Sequence, residues 1–232
     1  MRPSLKIIDF HSHILPCVDH GSDGIKTSKK QIALMNDAGV DTVVLTPHFY
    51  PHCHTVEEFC KTVSAAAEEL ASQCEKRPHF CLGAEVLYCE GIERMEGLET
   101  LCIKGTNILL LELPMSEWSK GLVYEVKRLA TNYTVVLAHI DRYVEHHFDE
   151  LSALLSSGVL AQINTSSLYH KTMRTWLAPF LEADQIYAIG SDLHGANKKT
   201  YREFSKASRR LEGLYNNISE HSAEILKNAE RI

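Results

Sequence analysis

Residues 7–21, IIDFHSHILPCVDHG, place Asp9, His11 and His13 at the end of a short apolar run. Asp19 and His20 follow directly before a glycine. Imidazole and carboxylate groups after a hydrophobic strand form either a polar loop over a core or the first part of a metal site. The choice between these interpretations depends on whether other strands of the chain end in the same way.

Seven short apolar runs occur along the chain, with helical patterns between them. Most of the runs are continuous rather than alternating, which is typical of strands buried on both faces of a parallel sheet. The predicted strands cover residues 6–11, 42–48, 80–87, 107–113, 134–140, 159–165 and 186–192. Strand–helix alternation predicts an α/β fold, and seven such units favour one β/α barrel over residues 1–232. An open doubly wound sheet is the alternative, although the chain has no GxGxxG turn.

The clearest predicted helix begins with a capping box formed by Thr55 and Glu58 and continues to residue 74. Apolar spacing predicts further helices near residues 122–130, 151–155, 176–181, 201–211 and 218–229.

Composition excludes several classes of protein. The 232 residues carry a net charge of −6 without a basic patch, which argues against a nucleic-acid groove. The sequence shows neither a membrane-spanning apolar stretch nor a signal-peptide pattern. The seven cysteines include no CxxC pair, so we expect reduced thiols and a cytoplasmic protein.

The carboxyl ends of the predicted strands carry most of the potential metal ligands. They are His11, His13, His48, Glu85, Glu112, His139, Asp192 and His194, and only the sixth strand ends without one. In a parallel barrel these ends lie on one face, where active sites are found. Imidazole and carboxylate without thiolate suit Zn, Mn or Fe, and so many ligands predict two or three ions. The sequence lacks a cysteine-phosphatase loop, GxSxG, HExxH and Walker A motifs, so the chemistry is expected to depend on metal.

The words DFHSHILP, TPHFY, GAEV, LLELPM, AHIDRY and GSDLHG, in this order, resemble the polymerase and histidinol phosphatase (PHP) family. The closest resemblance is to the metal-dependent tyrosine phosphatases of bacterial capsule and exopolysaccharide operons. The resemblance implies a distorted seven-stranded (β/α)7 barrel with three metal ions, most often Mn, with Fe or Zn as alternatives.

The resemblance also implies a role for each ligand. His11, His13, Glu85 and Asp192 would hold the first ion, and Glu85 would bridge to a second ion completed by Glu112 and His139. His48 and His194 would hold the third ion. His20 stands where these phosphatases usually have the second Asp of a D-D-G sequence, so we predict His20 as the remaining ligand, with Asp19 as the alternative.

Two basic residues are predicted to bind the substrate, and one of them, Arg142, is also predicted to be catalytic. Arg142 lies three residues after His139, and its planar guanidinium suits phosphate. Its alternative role is a surface ion pair with Asp141 or Glu145. Relatives often carry a phosphate-binding arginine after SDLHG, where this chain offers Lys198, Lys199 and Arg202, and we assign Lys199 this role.

The predicted function is hydrolysis of phosphomonoesters by hydroxide generated at the metals. The resemblance implies that the substrate is a phosphotyrosine-containing protein, such as a bacterial tyrosine kinase. A histidinol-phosphate phosphatase is the first alternative. An amidohydrolase-type C–N hydrolase is the second, although it would typically have a lysine where Glu112 stands. The third is a barrel that only binds. The histidines of the HCH stretch at residues 52–54 and the pair at 146–147 are predicted to be solvated or to lie on loops.

Overall fold

The computed structural model describes residues 6–74, 78–210 and 212–231. The strands in this part of the chain are β1 (Ile8–Ser12), β2 (Thr42–Leu45), β3 (His48–Phe49), β4 (His79–Leu82), β5 (Glu85–Leu87), β6 (Ile108–Glu112), β7 (Thr134–Leu137), β8 (Leu160–Asn164) and β9 (Ile186–Gly190). The α-helices are α1 (Ile25–Ala38), α2 (Val56–Gln73), α3 (Lys120–Leu129), α4 (Phe148–Leu155), α5 (Lys171–Glu182), α6 (Lys198–Arg210) and α7 (Glu212–Ile225).

All paired strands are parallel, which confirms the α/β class. Hydrogen bonding divides the strands into a three-stranded sheet, β1-β2-β4, and a six-stranded sheet, β3-β5-β6-β7-β8-β9. The prediction of seven uninterrupted strands was wrong at the second and third runs, each of which is split in two. Pro47 separates β2 from β3, since proline has no N–H to donate to a ladder. Gly83 and Ala84 separate β4 from β5.

The first and last strands lie side by side. The backbone N–H of Asp192 donates to the carbonyl of His11 at 2.8 Å, and that of His13 donates to the carbonyl of Leu193 at 3.3 Å. Ser12 and Leu193 also form a parallel bridge. The residues that follow β9 therefore lie beside the end of β1, which brings the carboxyl ends of the two sheets together.

Alternate residues of the strands enter two different apolar clusters. In β6, Ile108 and Leu110 belong to an inner cluster supplied mainly by strands, whereas Leu109 and Leu111 belong to an outer cluster shared with the helices. β2 and β7 divide their residues in the same way. This period of two explains the continuous apolar runs, because both faces of each strand are buried.

Among the described residues, α2 to α7 lie where helices were predicted, whereas α1 was not predicted. The capping box of α2 is confirmed, since Thr55 Oγ1 accepts from the N–H of Glu58 and the Glu58 carboxylate accepts from the N–H of Thr55. The helix predicted over residues 201–211 corresponds to α6, and residue 211 lies outside the described residues. No helix among residues 6–74, 78–210 and 212–231 combines the length and apolar composition that a bilayer crossing needs.

Candidate metal centre

Three of the predicted ligands continue the inner rows of their strands. Leu110 faces the inner cluster, and Glu112, two residues on, faces the same side at the carboxyl end of β6. His48 and Glu85 are buried and paired in register at the starts of β3 and β5. The ordinary alternation of strands therefore accounts for these three positions.

Three other ligands depend on irregular backbone. The pairing of β1 with β2 shifts register between Asp9 and Ser12, which includes His11. His139 and Asp192 have positive φ angles of 32° and 49°. Left-handed conformations are costly for residues with a side chain and concentrate at functional sites. These bends direct His139 and Asp192 toward the cluster.

Glu85 is the centre of the cluster. Its Oε2 lies 3.2 Å from His11 Nε2, 3.3 Å from His13 Nε2 and 2.8 Å from His48 Nδ1. Its Oε1 lies 2.8 Å from His139 Nε2. A carboxylate surrounded by four imidazoles can bridge more than one cation, the role that the family resemblance implies for this residue.

The ligand atoms form three groups that could each hold an ion. Within each group they lie within 4.8 Å of one another, and the groups are His11–His13–Asp192, His48–Glu85–Glu112 and His13–His48–His194. They overlap with the predicted division but are not identical to it. His48 rather than His139 accompanies Glu85 and Glu112, although His139 Nε2 lies 3.7 Å from Glu112 Oε1. The assignment of individual ligands to ions stays a prediction.

Neighbouring groups orient the imidazoles. His11 Nδ1 donates to Gln162 Oε1 at 3.1 Å, and His13 Nδ1 donates to Asp19 Oδ2 at 2.7 Å. In both rings this directs Nε2 toward the cluster, where the two Nε2 atoms lie 3.0 Å apart. Such partners fix the tautomer that a metal requires.

Several buried polar atoms of the cluster lack a hydrogen-bond partner. They are His139 Nδ1, His194 Nε2, and the pair Glu85 Oε2 and His48 Nδ1, which lie 2.8 Å apart without the geometry of a hydrogen bond. Unpaired buried polar atoms are costly, and native structures rarely keep them without a ligand or water. The donor set of imidazole nitrogens and carboxylate oxygens therefore fits divalent metal ions.

Electrostatic coupling keeps the centre of the cluster charged. Burial alone would raise the pKa of Glu85, but the facing His11, His13 and His139 hold it well below its ordinary value. Burial alone would lower the pKa values of His11 and His13, but facing carboxylates raise both, that of His13 well above its ordinary value. The facing carboxylates therefore favour positive charge at these two rings, as they would favour a bound cation.

The pKa values of three other ligands, His139, His194 and Glu112, shift in the opposite direction to those of the central histidines and glutamate. Burial lowers the pKa of His139, and burial together with His13 lowers that of His194 to about 4. Burial and the charge of Glu85 raise the pKa of Glu112. His139 and His194 are therefore neutral near pH 7, the form in which imidazole binds metal.

His20 lies at the edge of the cluster. Its exposed ring stacks against those of His48 and His194, with centroids 4.8 and 4.5 Å apart. Asp19, the alternative ligand, has a different position. Its Oδ2 accepts hydrogen bonds from His13 Nδ1 and from the N–H of His48, so the structure gives it an orienting role. The ligand role of His20 stays a prediction.

The two predicted substrate-binding residues lie in different surroundings. Arg142 is 40% exposed and its guanidinium pairs with Asp192, not with Asp141 or Glu145, so it faces the cluster. Lys199 is in the first turn of α6, is 81% exposed, and has its ammonium 3.8 Å from Glu203. Arg142 is therefore placed at the mouth of the cluster, whereas the contacts of Lys199 are on the helix surface.

The predicted surface histidines divide into two kinds. His52, His54 and His146 are exposed, as expected. His147 is buried, and its ring lies parallel to that of Trp118 with the centroids 4.1 Å apart. The expectation that His147 is solvated was wrong because the loop after β6 brings an indole over it.

The sequence analysis did not identify the groups supplied by β8. Gln162 Oε1 accepts from both His11 Nδ1 and the N–H of His139, and Asn164 Nδ2 donates to Asp192 Oδ2 at 3.0 Å. Both side chains come from the strand whose end carries no His, Asp or Glu. Two amides at alternate positions of a buried strand, AQIN, were the available signal.

Gly190 makes room for this arrangement. A Cβ atom at Gly190 would lie 2.5 Å from the Cβ of His11 and 2.8 Å from Gln162 Nε2. Only glycine allows β9 to approach the ligand-bearing end of β1 this closely.

The comparisons with known proteins agree with the resemblance found in the sequence. Tyrosine-protein phosphatase CpsB of Streptococcus pneumoniae is 28% identical over 209 residues, which cover 83% of this chain and 85% of that protein. Tyrosine-protein phosphatase YwqE of Bacillus subtilis is 26% identical over 211 residues, which cover 84% and 80%.

A solved structure shares the overall fold of this chain. It comes from work on YwqE of Bacillus subtilis and CpsB of Streptococcus pneumoniae, described as unique metal-dependent tyrosine phosphatases. It superposes with a TM-score of 0.80 over 97% of each chain at 21% identity. The family model for capsular polysaccharide synthesis, CpsB/CapC, matches residues 7–232. The chain belongs to the CpsB/CapC family of capsular polysaccharide synthesis.

Proposed function

We propose that this chain is a metal-dependent phosphatase that hydrolyses phosphotyrosine in a protein of capsular or exopolysaccharide synthesis. The observation that carries the proposal is the cluster around Glu85, in which four imidazoles converge on one buried carboxylate. The names of the CpsB and YwqE relatives supply the reaction class. The natural partner would be a phosphorylated protein, such as a bacterial tyrosine kinase, and the two proteins would interact in the cytoplasm.

Metal ions held by these residues would neutralise phosphate oxygens and supply hydroxide near neutral pH. We infer that two or three ions bind, with Mn preferred as in the phosphatases that the sequence resembles, and with Fe or Zn as alternatives because imidazoles outnumber carboxylates in the cluster. We also infer that the two hydrogen-bonded sheets form one distorted barrel of seven strand units, supported by the contact between the end of β1 and the residues after β9.

Arg142 would bind the phosphate in this mechanism. Asp192 shares its two oxygens between different neighbours: Oδ1 faces the imidazoles of the cluster, and Oδ2 pairs with Arg142 and Asn164. The same carboxylate thus fixes the guanidinium beside the ligands. A planar guanidinium in this position can donate two parallel hydrogen bonds to a phosphate.

A tyrosine phosphate suits a site of this composition. The phenol leaving group has a pKa of about 10 and departs with less proton donation than an alkyl alcohol needs. Glu112, His20, Arg142 and His194 are partly or fully exposed beside the cluster, and the proposed reaction requires none of them as a dedicated acid. Lys199 remains a second candidate for contact with the phosphoprotein.

The test compares substrates and one matched pair of variants. Protein loaded with Mn²⁺ should hydrolyse a phosphotyrosine peptide faster than histidinol phosphate, lose activity with chelator, and recover on re-addition of metal. Glu85→Gln should lower turnover by more than about 100-fold and reduce bound metal, since it removes the central ligand. Glu93→Gln, which replaces a largely buried glutamate outside the cluster, should retain both.

Three results would contradict the proposal. Full activity after complete removal of metal would exclude a metal-dependent reaction. A preference for histidinol phosphate would assign the chain to that phosphatase class. Metal binding without hydrolysis of any phosphomonoester would favour a C–N hydrolase or a binding protein.

A further inference from the structure

Tyr50 is an aromatic residue at the edge of the metal centre. It follows the two-residue strand β3, in which His48 faces the cluster and Phe49 is buried against Phe59. Because side chains alternate along an extended chain, Tyr50 returns to the side of His48. Its ring is nearly parallel to that of His48, with centroids 5.1 Å apart and 16° between the planes.

The backbone around Tyr50 is fixed. The carbonyl of Tyr50 accepts hydrogen bonds from the N–H groups of Cys53 at 2.9 Å and His54 at 3.2 Å. The ring of His52 lies 5.9 Å from that of Tyr50. The tyrosine ring is thus held between the following turn and a ligand of the cluster, while part of it remains accessible to solvent.

The chemistry of the opening gives this ring a role. The side chains of His11, His13 and Glu85 are completely buried, so a phosphate bound among the ligands has to direct its ester group outward. At the opening, Glu112 and Arg142 are charged, and His20 and His194 are predicted metal ligands. Tyr50 stacks on His48, and the accessible part of its ring offers carbon surface that an aromatic ester group can pack against, whereas a small alkyl group would gain little from it.

We propose that Tyr50 is the specificity-determining residue that packs against the aromatic ring of an aryl phosphomonoester and so favours phosphotyrosine over alkyl phosphates. The proposal rests on the proposed phosphatase function and names the residue that selects its substrate class. Tyr50 would contact the ring of the substrate without taking part in bond cleavage.

Binding of two phosphonates tests the proposal separately from turnover. Phenylphosphonate and methylphosphonate carry the same anionic group and differ in the ring. Their dissociation constants would be measured by calorimetry on Mn²⁺-loaded wild type, Tyr50→Ala, Tyr50→Phe and Tyr124→Ala. Tyr124 is a matched control because it is an exposed tyrosine on the outside of α3. Elemental analysis would establish that each variant holds the same amount of metal.

The expected result is a selective loss. Tyr50→Ala should weaken the binding of phenylphosphonate by about three- to tenfold and leave the binding of methylphosphonate unchanged. Tyr50→Phe and Tyr124→Ala should keep the wild-type ratio of the two dissociation constants. The ratio of kcat/KM for phenyl phosphate over ethyl phosphate should fall in Tyr50→Ala by a similar factor.

Equal weakening of both phosphonates, or of neither, would overturn the role of Tyr50 while leaving phosphatase activity intact. If wild-type protein binds neither phosphonate and hydrolyses no phosphomonoester, the proposed function fails and the inference fails with it. If metal content falls in Tyr50→Ala but stays normal in Tyr50→Phe, and the ratio of the two affinities is unchanged, the ring only supports His48.

Discussion

Replacing Asp19 by asparagine tests whether this carboxylate orients the ligands or is itself a ligand. Its Oδ2 accepts hydrogen bonds from His13 Nδ1 at 2.7 Å and from the N–H of His48 at 3.0 Å, and its Oδ1 accepts from Gly21 at 2.8 Å. An asparagine keeps one oxygen acceptor, so Asp19→Asn loses the charge and leaves at least one of these three donors without a partner. A hydrogen bond to a charged group contributes about 1.5–3 kcal/mol.

Asp19→Asn should therefore lower the free energy of unfolding of the metal-free protein by about 1–3 kcal/mol. Mn²⁺ affinity should fall by about 10–100-fold, the usual cost of removing a partner of a ligating histidine. The number of ions bound at saturating Mn²⁺ should not change. Calorimetry, elemental analysis and denaturant unfolding measure these quantities. Asp23→Asn, an exposed carboxylate on the same loop, is the control.

Two outcomes would refute this reasoning. Loss of one full metal equivalent at saturating Mn²⁺ would make Asp19 a ligand. Unchanged affinity and unchanged stability would show that His13 needs no partner to present its Nε2 atom.

Three further predictions concern the same cluster. His20→Ala should lower metal content or affinity at one site and His20→Asp should restore it, by elemental analysis and turnover; wild-type values for both in His20→Ala would end the ligand prediction. Gln162→Leu leaves the N–H of His139 and Nδ1 of His11 unpaired, so Mn²⁺ affinity should fall by about 10–100-fold. Gln162→Glu keeps an acceptor and should lose less affinity. Equal losses of affinity in the two variants would contradict the orienting role of Gln162. The carboxylates that raise the pKa values of His11 and His13 stabilise the metal-free fold by binding these rings in their protonated form. This contribution is fully present below about pH 6.5 and is lost as pH rises through the raised pKa values. Metal binding has to displace these protons, so the increase in Tm caused by Mn²⁺ should widen from about pH 6 to about pH 8; a constant increase in a thermal-shift series would argue against protons on these rings.

The sequence was sufficient to predict the residues that follow the regular pattern of a buried strand. Glu112 lies two residues beyond Leu110 and continues its inner-facing row, and His48 and Glu85 are paired in neighbouring strands of the parallel sheet. For such residues the period of two and the parallel pairing together determine which side chains meet. The alternation of strands and helices along the chain was sufficient to predict the α/β class, because such alternation is typical of parallel sheets.

The remaining features depend on contacts between distant parts of the chain. The register shift at His11 and the left-handed backbone at His139 and Asp192 are local costs that the surrounding structure has to compensate. A short-range sequence pattern gives no indication of this compensation, because it comes from residues that are distant in the sequence. The orienting role of Gln162 was equally inaccessible, because a glutamine in an apolar run gives no sign of the histidines it will meet. The split strands were missed although Pro47 and Gly83 are residues of the kind that interrupt strands, because the apolar runs on either side of each break were interpreted as one strand.

The paired interruptions at Pro47 and at Gly83–Ala84 limit how this chain can change in length. Thr42 pairs with His79 before the interruptions and His48 pairs with Glu85 after them, so both strands skip the same number of residues. A single inserted or deleted residue in either strand would shift one ligand by one position and turn it to the opposite face of the sheet. Length changes at one interruption would therefore survive in descendants only when the other changes to match. Among homologues, the two segments are expected to lengthen or shorten together.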